Sequence, residues 1–175
     1  AVGSGTMAGA INAAARNTAV GNDAGAGITT ATDNVLVGSN SGDSITTANK
    51  CIFIGNSAGT AVTVTGGSNV SDGTVGIGYQ ALTALTTGAS NTAVGYTAGA
   101  EEVAGNDNTM IGYEALHDGG GLANLSNTII GSGAGGGTWA NTASSYNTIV
   151  GQAAMGDALD GALHNVAVGY LSGAV

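Results

Sequence analysis

Several residue types are scarce or missing in this chain. Its 175 residues include no proline, one cysteine, one tryptophan and one phenylalanine, and its basic residues are Arg16 and Lys50. A single cysteine permits no intrachain disulfide. Two basic residues against 11 acidic ones give a net charge of −9, which disfavours a nucleic-acid partner because little is available to neutralise phosphates. No run reaches the roughly 18 apolar residues of a membrane-spanning helix, so no membrane insertion is predicted.

What the chain does contain is a repeat with a period close to seventeen residues. A Val or Ile followed directly by glycine recurs at this period, at Gly3, Gly21, Gly38, Gly55, Gly78, Gly95, Gly112, Gly131, Gly151 and Gly169. Such regularity is the signature of an architecture in which each unit is one turn of a stack. No linker interrupts it, so we predict one β-roll repeat domain over residues 1–175. Because the chain starts inside a unit, we expect it to be a fragment of a longer fibrous protein.

The columns of the repeat predict a β-structure. We number the positions of residues 91–99 from one to nine and use them as the reference unit. The fourth position is always Val or Ile, and branching at Cβ favours strands, so this column is predicted to be the buried core. Its members are Val20, Val37, Ile54, Ile77, Val94, Ile111, Ile130, Val150 and Val168. The first position is mostly asparagine, whose side chains can bond one another from turn to turn. The predicted ladder is Asn17, Asn34, Asn91, Asn108, Asn127, Asn147 and Asn165.

The remaining columns complete the fold prediction. The eighth position is Ala or Ser in nearly every unit, which indicates a second strand passing through a narrow interior. With 33 glycines, a helical repeat is disfavoured. We therefore predict an all-β parallel β-solenoid or β-roll of about ten coils, each with two short strands and two turns. The acidic residues, Glu102 among them, are expected in variable turns.

The third position is also largely apolar, and this predicts an oligomer. Neighbouring residues of a strand face opposite ways, so the third and fourth positions cannot share one core. The strand is therefore expected to be covered on both faces. One cover is the interior of the roll, and the simplest candidate for the other is an identical chain. Because closed rings are preferred, we predict a cyclic homo-oligomer.

Five aromatic residues are the candidates for contact with a receptor or glycan. Tyr79, Tyr96 and Tyr113 occupy the sixth position of three successive units, where their rings could form a ledge for sugars or pack between subunits. Trp139 and Tyr146 lie in a longer unit, between Gly131 and Gly151. Insertions in solenoids map to loops on one face, often the binding face.

No catalytic, cofactor-binding or metal-binding residue is predicted. His117 and His164 lie in different turns without a partner at ligand spacing. The carboxylates do not recur at a fixed place, which disfavours a calcium-binding roll. A glycan depolymerase would need converging carboxylates, which the scattered acids do not offer. An ice-binding face would need threonines in register through all coils, whereas strings such as 28–30 and 45–47 are replaced by 101–103 and 122–124.

Several units resemble known fibre repeats. The best examples are residues 91–96 (NTAVGY), 108–116 (NTMIGYEAL) and 78–82 (GYQAL). They resemble repeats in the shafts of bacteriophage tail fibres and are similar to the head domains of bacterial trimeric autotransporter adhesins, whose coils are shorter. The adhesin resemblance implies a left-handed roll and a homotrimer. The seventeen-residue coils, the Asn-Thr openings and the Tyr after Gly favour the phage fibre.

The sequence therefore predicts a non-enzymatic structural and receptor-binding segment of a trimeric phage tail fibre. Such a segment would be an extracellular part of the virion and would contact a glycan or protein of the host-cell surface. The first alternative is the head of a trimeric autotransporter adhesin on a bacterial surface. A fibre-borne depolymerase and an ice-binding solenoid are lesser alternatives.

Overall fold

The computed structural model of the chain describes residues 1–9, 13–62, 72–137, 142–157 and 161–173. These residues contain no helix and form nine strands of three residues each. The strands are β1 (Thr18–Val20), β2 (Val35–Val37), β3 (Ile52–Ile54), β4 (Val75–Ile77), β5 (Thr92–Val94), β6 (Thr109–Ile111), β7 (Thr128–Ile130), β8 (Thr148–Val150) and β9 (Val166–Val168). Each strand pairs in parallel with the next along the chain, in the order β1 to β9.

The protein is therefore an all-β parallel β-solenoid of about eight turns. Equivalent residues of successive units lie directly over one another, as Ala93 over Met110 and Val94 over Ile111 show. Register is kept even across the longest unit, where Ile54 pairs with Ile77. The first unit contributes an isolated bridge between Val2 and Val20 and no named strand, so the described residues give nine strands where ten coils are predicted.

The interior of the coil is filled by the side chains of the third position, and the Val/Ile column of the fourth position lies outside it. The middle residue of every strand is buried, and both of its neighbours face outward. The buried column is Ala19, Leu36, Phe53, Gly76, Ala93, Met110, Ile129, Ile149 and Ala167. The Val/Ile column lies on the outer face of the sheet, half-exposed in the single chain. The residues predicted as structural core therefore face outward, away from the coil interior, in the single chain: Val20, Val37, Ile54, Ile77, Val94, Ile111, Ile130, Val150 and Val168.

The interior column varies because its residues complement one another in size. A Cβ placed on Gly59 would lie 2.6 Å from the Phe53 ring, and one on Gly76 would lie 2.8 Å from it. Phe53 thus fills space that two glycines leave, as close packing of a narrow core demands. The Val/Ile column does not fill a closed interior. Packing within the chain therefore does not require its residues to differ in size.

The second side of each coil consists of stacked turns where a second strand is predicted. Among the described residues each unit contributes one strand, and the small eighth position lies in a turn. This position is fully buried at Ala24, Ser41, Ala58, Ala81, Ala98, Ala115, Ala134 and Ala154. The interior column beside it is aliphatic at Ile28, Ile45, Val62 and Leu85. Small side chains are needed here because the turn passes close to the strand across the core.

The asparagine column closes each coil and links it to the next. Asn91 donates from Nδ2 to the Gly105 carbonyl across its own coil, at 2.6 Å. Its Oδ1 accepts from the backbone N–H and the side chain of Asn108, at 3.0 and 3.1 Å. The same ladder continues to Asn165. Cys51 and Thr74 replace asparagine between Asn34 and Asn91, and there the amide-to-amide ladder is interrupted.

The glycine after each strand is required by the close approach of successive coils. Gly95 has a φ of 145°, and a Cβ on it would overlap the carbonyl oxygen of Gly112 in the next coil. The same overlap recurs from Gly3 to Gly151. No other residue adopts this backbone angle without strain, and here the neighbouring backbone also excludes a side chain.

Gly95→Ala is therefore expected to destabilise the protein by about 3–5 kcal/mol, from backbone strain together with overpacking. Gly73→Ala is the matched control, because Gly73 also has a positive φ but a Cβ on it meets nothing within 4 Å. The control should lose about 1–2 kcal/mol. Urea unfolding of the two variants measures the difference, and equal losses would contradict the steric role of the glycine column.

Candidate receptor-binding surface

Three tyrosines form an exposed stack along the solenoid, on the side where the strands end. The ring centroids of Tyr79 and Tyr96 lie 5.1 Å apart and those of Tyr96 and Tyr113 lie 5.2 Å apart, with interplanar angles of 15° and 10°. The three residues are between 43% and 52% exposed. We call this stack the tyrosine ladder. It brings together three of the five predicted contact residues.

Backbone pairing just beyond the strands fixes the tyrosine ladder. Each tyrosine follows the glycine that ends its strand. The Tyr79 carbonyl accepts from Thr97 N–H at 2.9 Å, and the Tyr96 carbonyl accepts from Glu114 N–H at 2.9 Å. The Tyr113 carbonyl accepts from the N–H of Gly133 at 2.8 Å. The rings are therefore held at the repeat of the sheet, close to the spacing at which aromatic rings stack.

A polar column runs beside the tyrosine ladder. Gln80, Thr97 and Glu114 each follow a tyrosine and have φ values of 52°, 47° and 53°. Among the described residues Thr97 is the one β-branched residue with positive φ, a strained conformation. Its buried hydroxyl has no hydrogen-bond partner. Aromatic rings beside hydrogen-bonding groups are the combination that binds amphipathic ligands such as sugars.

Glu114 gives this edge its charge. Its carboxylate accepts a hydrogen bond from the Tyr113 hydroxyl and, with its negative charge, raises the pKa of that hydroxyl. A carboxylate has about four acceptor sites, so most of them are open to solvent or to a ligand. Sequence reasoning missed this residue because the eleven acids were considered as one scattered set.

The other two predicted contact residues are not part of the tyrosine ladder. Tyr146 precedes strand β8 and therefore lies on the side of the sheet where the strands begin, whereas the tyrosine ladder lies on the side where they end. Its ring stacks on that of His164, with centroids 5.0 Å apart and an interplanar angle of 5°. Trp139 lies outside the described residues. Of the predicted patch of Trp139 and Tyr146, the structure therefore describes Tyr146 alone, stacked on His164.

The outer face of the sheet is the largest uniform surface of the molecule. Its two columns hold the first and last residue of each strand, and all eighteen positions are Thr, Val or Ile. Ile54, Ile111 and Ile130 are 36–37% exposed in the single chain. The column of last residues is entirely Val or Ile and runs beside an uncharged column of Thr, Val and Ile, a continuous apolar stripe of the kind that marks a protein–protein contact.

The described residues enclose no pocket and contain no group of His, Cys, Asp or Glu placed to hold a metal ion. With no helix among the described residues, none is present that could cross a membrane.

Glu102 differs from the other acids in being buried. It continues the interior column of Val62 and Leu85 and is fully buried. Its Oε1 accepts from the Gly105 N–H at 2.7 Å and its Oε2 from Asn124 Nδ2 at 2.8 Å. Burial raises the pKa of Glu102 to about 7, against the opposing effect of these hydrogen bonds, and no charged side chain contributes. The signal in the sequence was its distance of one period from Leu85.

No protein-family model, curated protein or solved structure matches the chain. What the protein does has to be inferred from its own surfaces.

Glu102 makes stability depend on pH. Because its folded pKa, about 7, exceeds the ordinary value of 4.5, the fold takes up a proton between these limits. The contribution of Glu102 to stability is therefore fully present below pH 4.5 and is lost, by about 3 kcal/mol, as pH rises to and through 7. Glu102→Gln should remove this decline when urea unfolding is measured at pH 5 and pH 8. Glu101→Gln, a change at the exposed neighbouring acid, should leave it in place, and a decline that survives in Glu102→Gln would contradict the assignment.

Proposed function

We propose that this chain is a structural and receptor-binding segment of a trimeric bacteriophage tail fibre, an extracellular part of the virion that reaches toward a host-cell surface. The observation that carries the proposal is the uncharged outer face of the sheet. A repeat that keeps Thr, Val or Ile outward at eighteen positions is built to be covered along its whole length.

An identical chain is the partner that best fits this face. A second solenoid has the same spacing between coils, so its Val/Ile column can pack against the first without losing register along the axis. A cyclic arrangement closes the assembly and leaves no apolar face in solvent. Three is the number that the resemblance to adhesin heads implies, and a trimer of rods is typical of fibres.

The shape and chemistry of the chain favour a rod over an enzyme. Eight strand spacings give a sheet about 38 Å long. Glycoside hydrolysis needs two carboxylates facing each other across a bound sugar. Here Glu102 is buried in the core, while Glu114 lies on an open edge beside the tyrosine ladder. Non-enzymatic binding is the function that such a surface supports.

The proposed receptor contact is the tyrosine ladder, and the proposed receptor is a glycan or protein of the host-cell surface. The rings remain exposed at the edge of the sheet while the sheet face is available to the other chains. The alternative owner is a bacterial trimeric autotransporter adhesin, with the segment displayed on the bacterial surface. A membrane-anchor barrel encoded after a coiled-coil stalk would identify the adhesin, and neighbouring virion genes would identify the phage.

Native mass spectrometry tests the proposed assembly. We expect a mass of three chains, and we expect Ile111→Asp to shift the population to monomer because it places a charge in a desolvated face. Ala123→Asp adds the same charge at an exposed turn and should leave the trimer intact. A stable wild-type monomer at micromolar concentration would overturn the proposed assembly.

Adsorption of the fluorescently labelled trimer to a panel of bacterial strains tests the receptor contact. Replacing Tyr79, Tyr96 and Tyr113 together with serine, the residue found at this position in other coils, should abolish adsorption and leave the trimer mass unchanged. Trp139→Ala, analysed in parallel, reports on the second predicted patch. If the triple variant adsorbs like the wild type, the tyrosine ladder is not the receptor contact.

A further inference from the structure

We infer that the outward ring face of Tyr113 is a stacking subsite for a neutral pyranose ring of a surface glycan, with the Glu114 carboxylate accepting hydrogen bonds from the sugar hydroxyls. The inference rests on the proposed receptor-binding function. It narrows the receptor contact to one end of the tyrosine ladder and to one class of ligand.

Stacking within the tyrosine ladder leaves two ring faces free. Tyr96 lies between Tyr79 and Tyr113, so both of its faces are covered. A pyranose binds an aromatic residue through the ring face, where its C–H groups meet the negative π-surface. Such a ligand can therefore stack only beyond Tyr79 or beyond Tyr113. Along the side of the ladder it meets ring edges and hydroxyl groups.

The two ends of the tyrosine ladder differ in the space they offer. Beyond Tyr79 the next coil carries Asn56 and Ser57, whose side chains are hydrogen-bonded to each other at 3.1 Å. Beyond Tyr113 the next coil carries Ser132 and Gly133, and a Cβ placed on Gly133 would meet nothing within 4 Å. The position beyond Tyr113 thus carries smaller residues than the position beyond Tyr79, and we call the open space over Ser132 and Gly133 the recess.

The recess beyond Tyr113 has a second aromatic boundary. The same column continues through Ser132 and Gln152 to Tyr170, as the bonds from Ala153 N–H to the Ser132 carbonyl and from Leu171 N–H to the Gln152 carbonyl show. Tyr170 is 71% exposed. Three coil steps separate it from Tyr113, a distance of about 14 Å. Gln152 lies two coil steps from Tyr113, about 10 Å away, so the space between them is wide enough for one sugar stacked on Tyr113.

Charge selects the class of sugar. Glu114 lies beside Tyr113, and its ionised carboxylate can only accept hydrogen bonds, so it pairs with the hydroxyl donors of a neutral sugar. An acidic sugar would bring a second carboxylate beside it, in a chain whose net charge is −9. Like charges at short distance oppose binding, so uronic acids are expected to be excluded.

Ligand-observed NMR titration of the full chain tests this subsite. The probes are methyl β-glucopyranoside and methyl β-galactopyranoside as neutral sugars, with methyl β-glucuronide as the acidic counterpart. At least one neutral glycoside should bind more tightly than the glucuronide. Ser132→Tyr extends the tyrosine ladder by one ring and covers the Tyr113 face, so it should weaken binding about tenfold. Asn56→Tyr extends the opposite end by one ring and should leave the affinity unchanged.

A second pair of variants tests the polar contact. Glu114→Ala should weaken neutral glycoside binding about tenfold or more, which is what one hydrogen bond to a charged group contributes. Gln80→Ala, at the equivalent position beside Tyr79, should have no effect. The inference is overturned if neither neutral glycoside binds, if Asn56→Tyr weakens binding as much as Ser132→Tyr, or if the glucuronide binds best.

The trimer mass and bacterial adsorption, measured on the same preparation, separate this inference from the proposed function. A trimer that adsorbs to cells but binds no neutral glycoside overturns the subsite and leaves the fibre function standing. A monomer that does not adsorb overturns the fibre function itself.

Discussion

The parallel stacking of each coil directly over the previous one is the constraint on which the whole molecule depends. Strands of three residues are too short to be stable alone, and their backbone groups are satisfied by the coils before and after them. The stack holds one strand spacing only where glycine lets successive backbones approach, and Gly95 against Gly112 shows why no side chain fits there. The asparagine ladder adds a bond between coils from the same residue that closes each coil.

Two kinds of column follow from this stacking. Inside the coil, residues must fill a fixed volume together, so a large side chain such as Phe53 is matched by the glycines around it. On the outer face no volume is fixed by the chain itself, and the column stays flat and β-branched. A uniform outer column is what a face needs when it packs against another uniform face, and the proposed trimer supplies such a face.

The architecture could be predicted from the sequence because stacking makes equivalent residues recur. The period gave the parallel solenoid, and the Asn and Tyr columns gave the chemistry that runs along it. Which face of each strand points into the coil could not be predicted in the same way. Alternation requires Ala93 and Val94 to face opposite sides, but nothing in their identities says which side is inside. A uniform Val and Ile column is typical of a buried core, although complementary filling makes an interior column variable. The buried Glu102 was hidden because an acid in a turn is ordinarily solvated.

At the candidate site as well, the sequence predicts which residues share a column but not which surfaces they leave free. The sequence places Tyr79, Tyr96 and Tyr113 in one column, but the free ring face depends on what the next coil carries, here Ser132 and Gly133. The central claim is that coils stack in register with the Val/Ile column outward. A density map of the protein at side-chain resolution tests it most directly. We expect the Cα atoms of Val94 and Ile111 about 4.8 Å apart on the outer face, with Ala93 and Met110 inside. Val94 and Ile111 buried inside the coil, or more than one strand spacing apart, would contradict it.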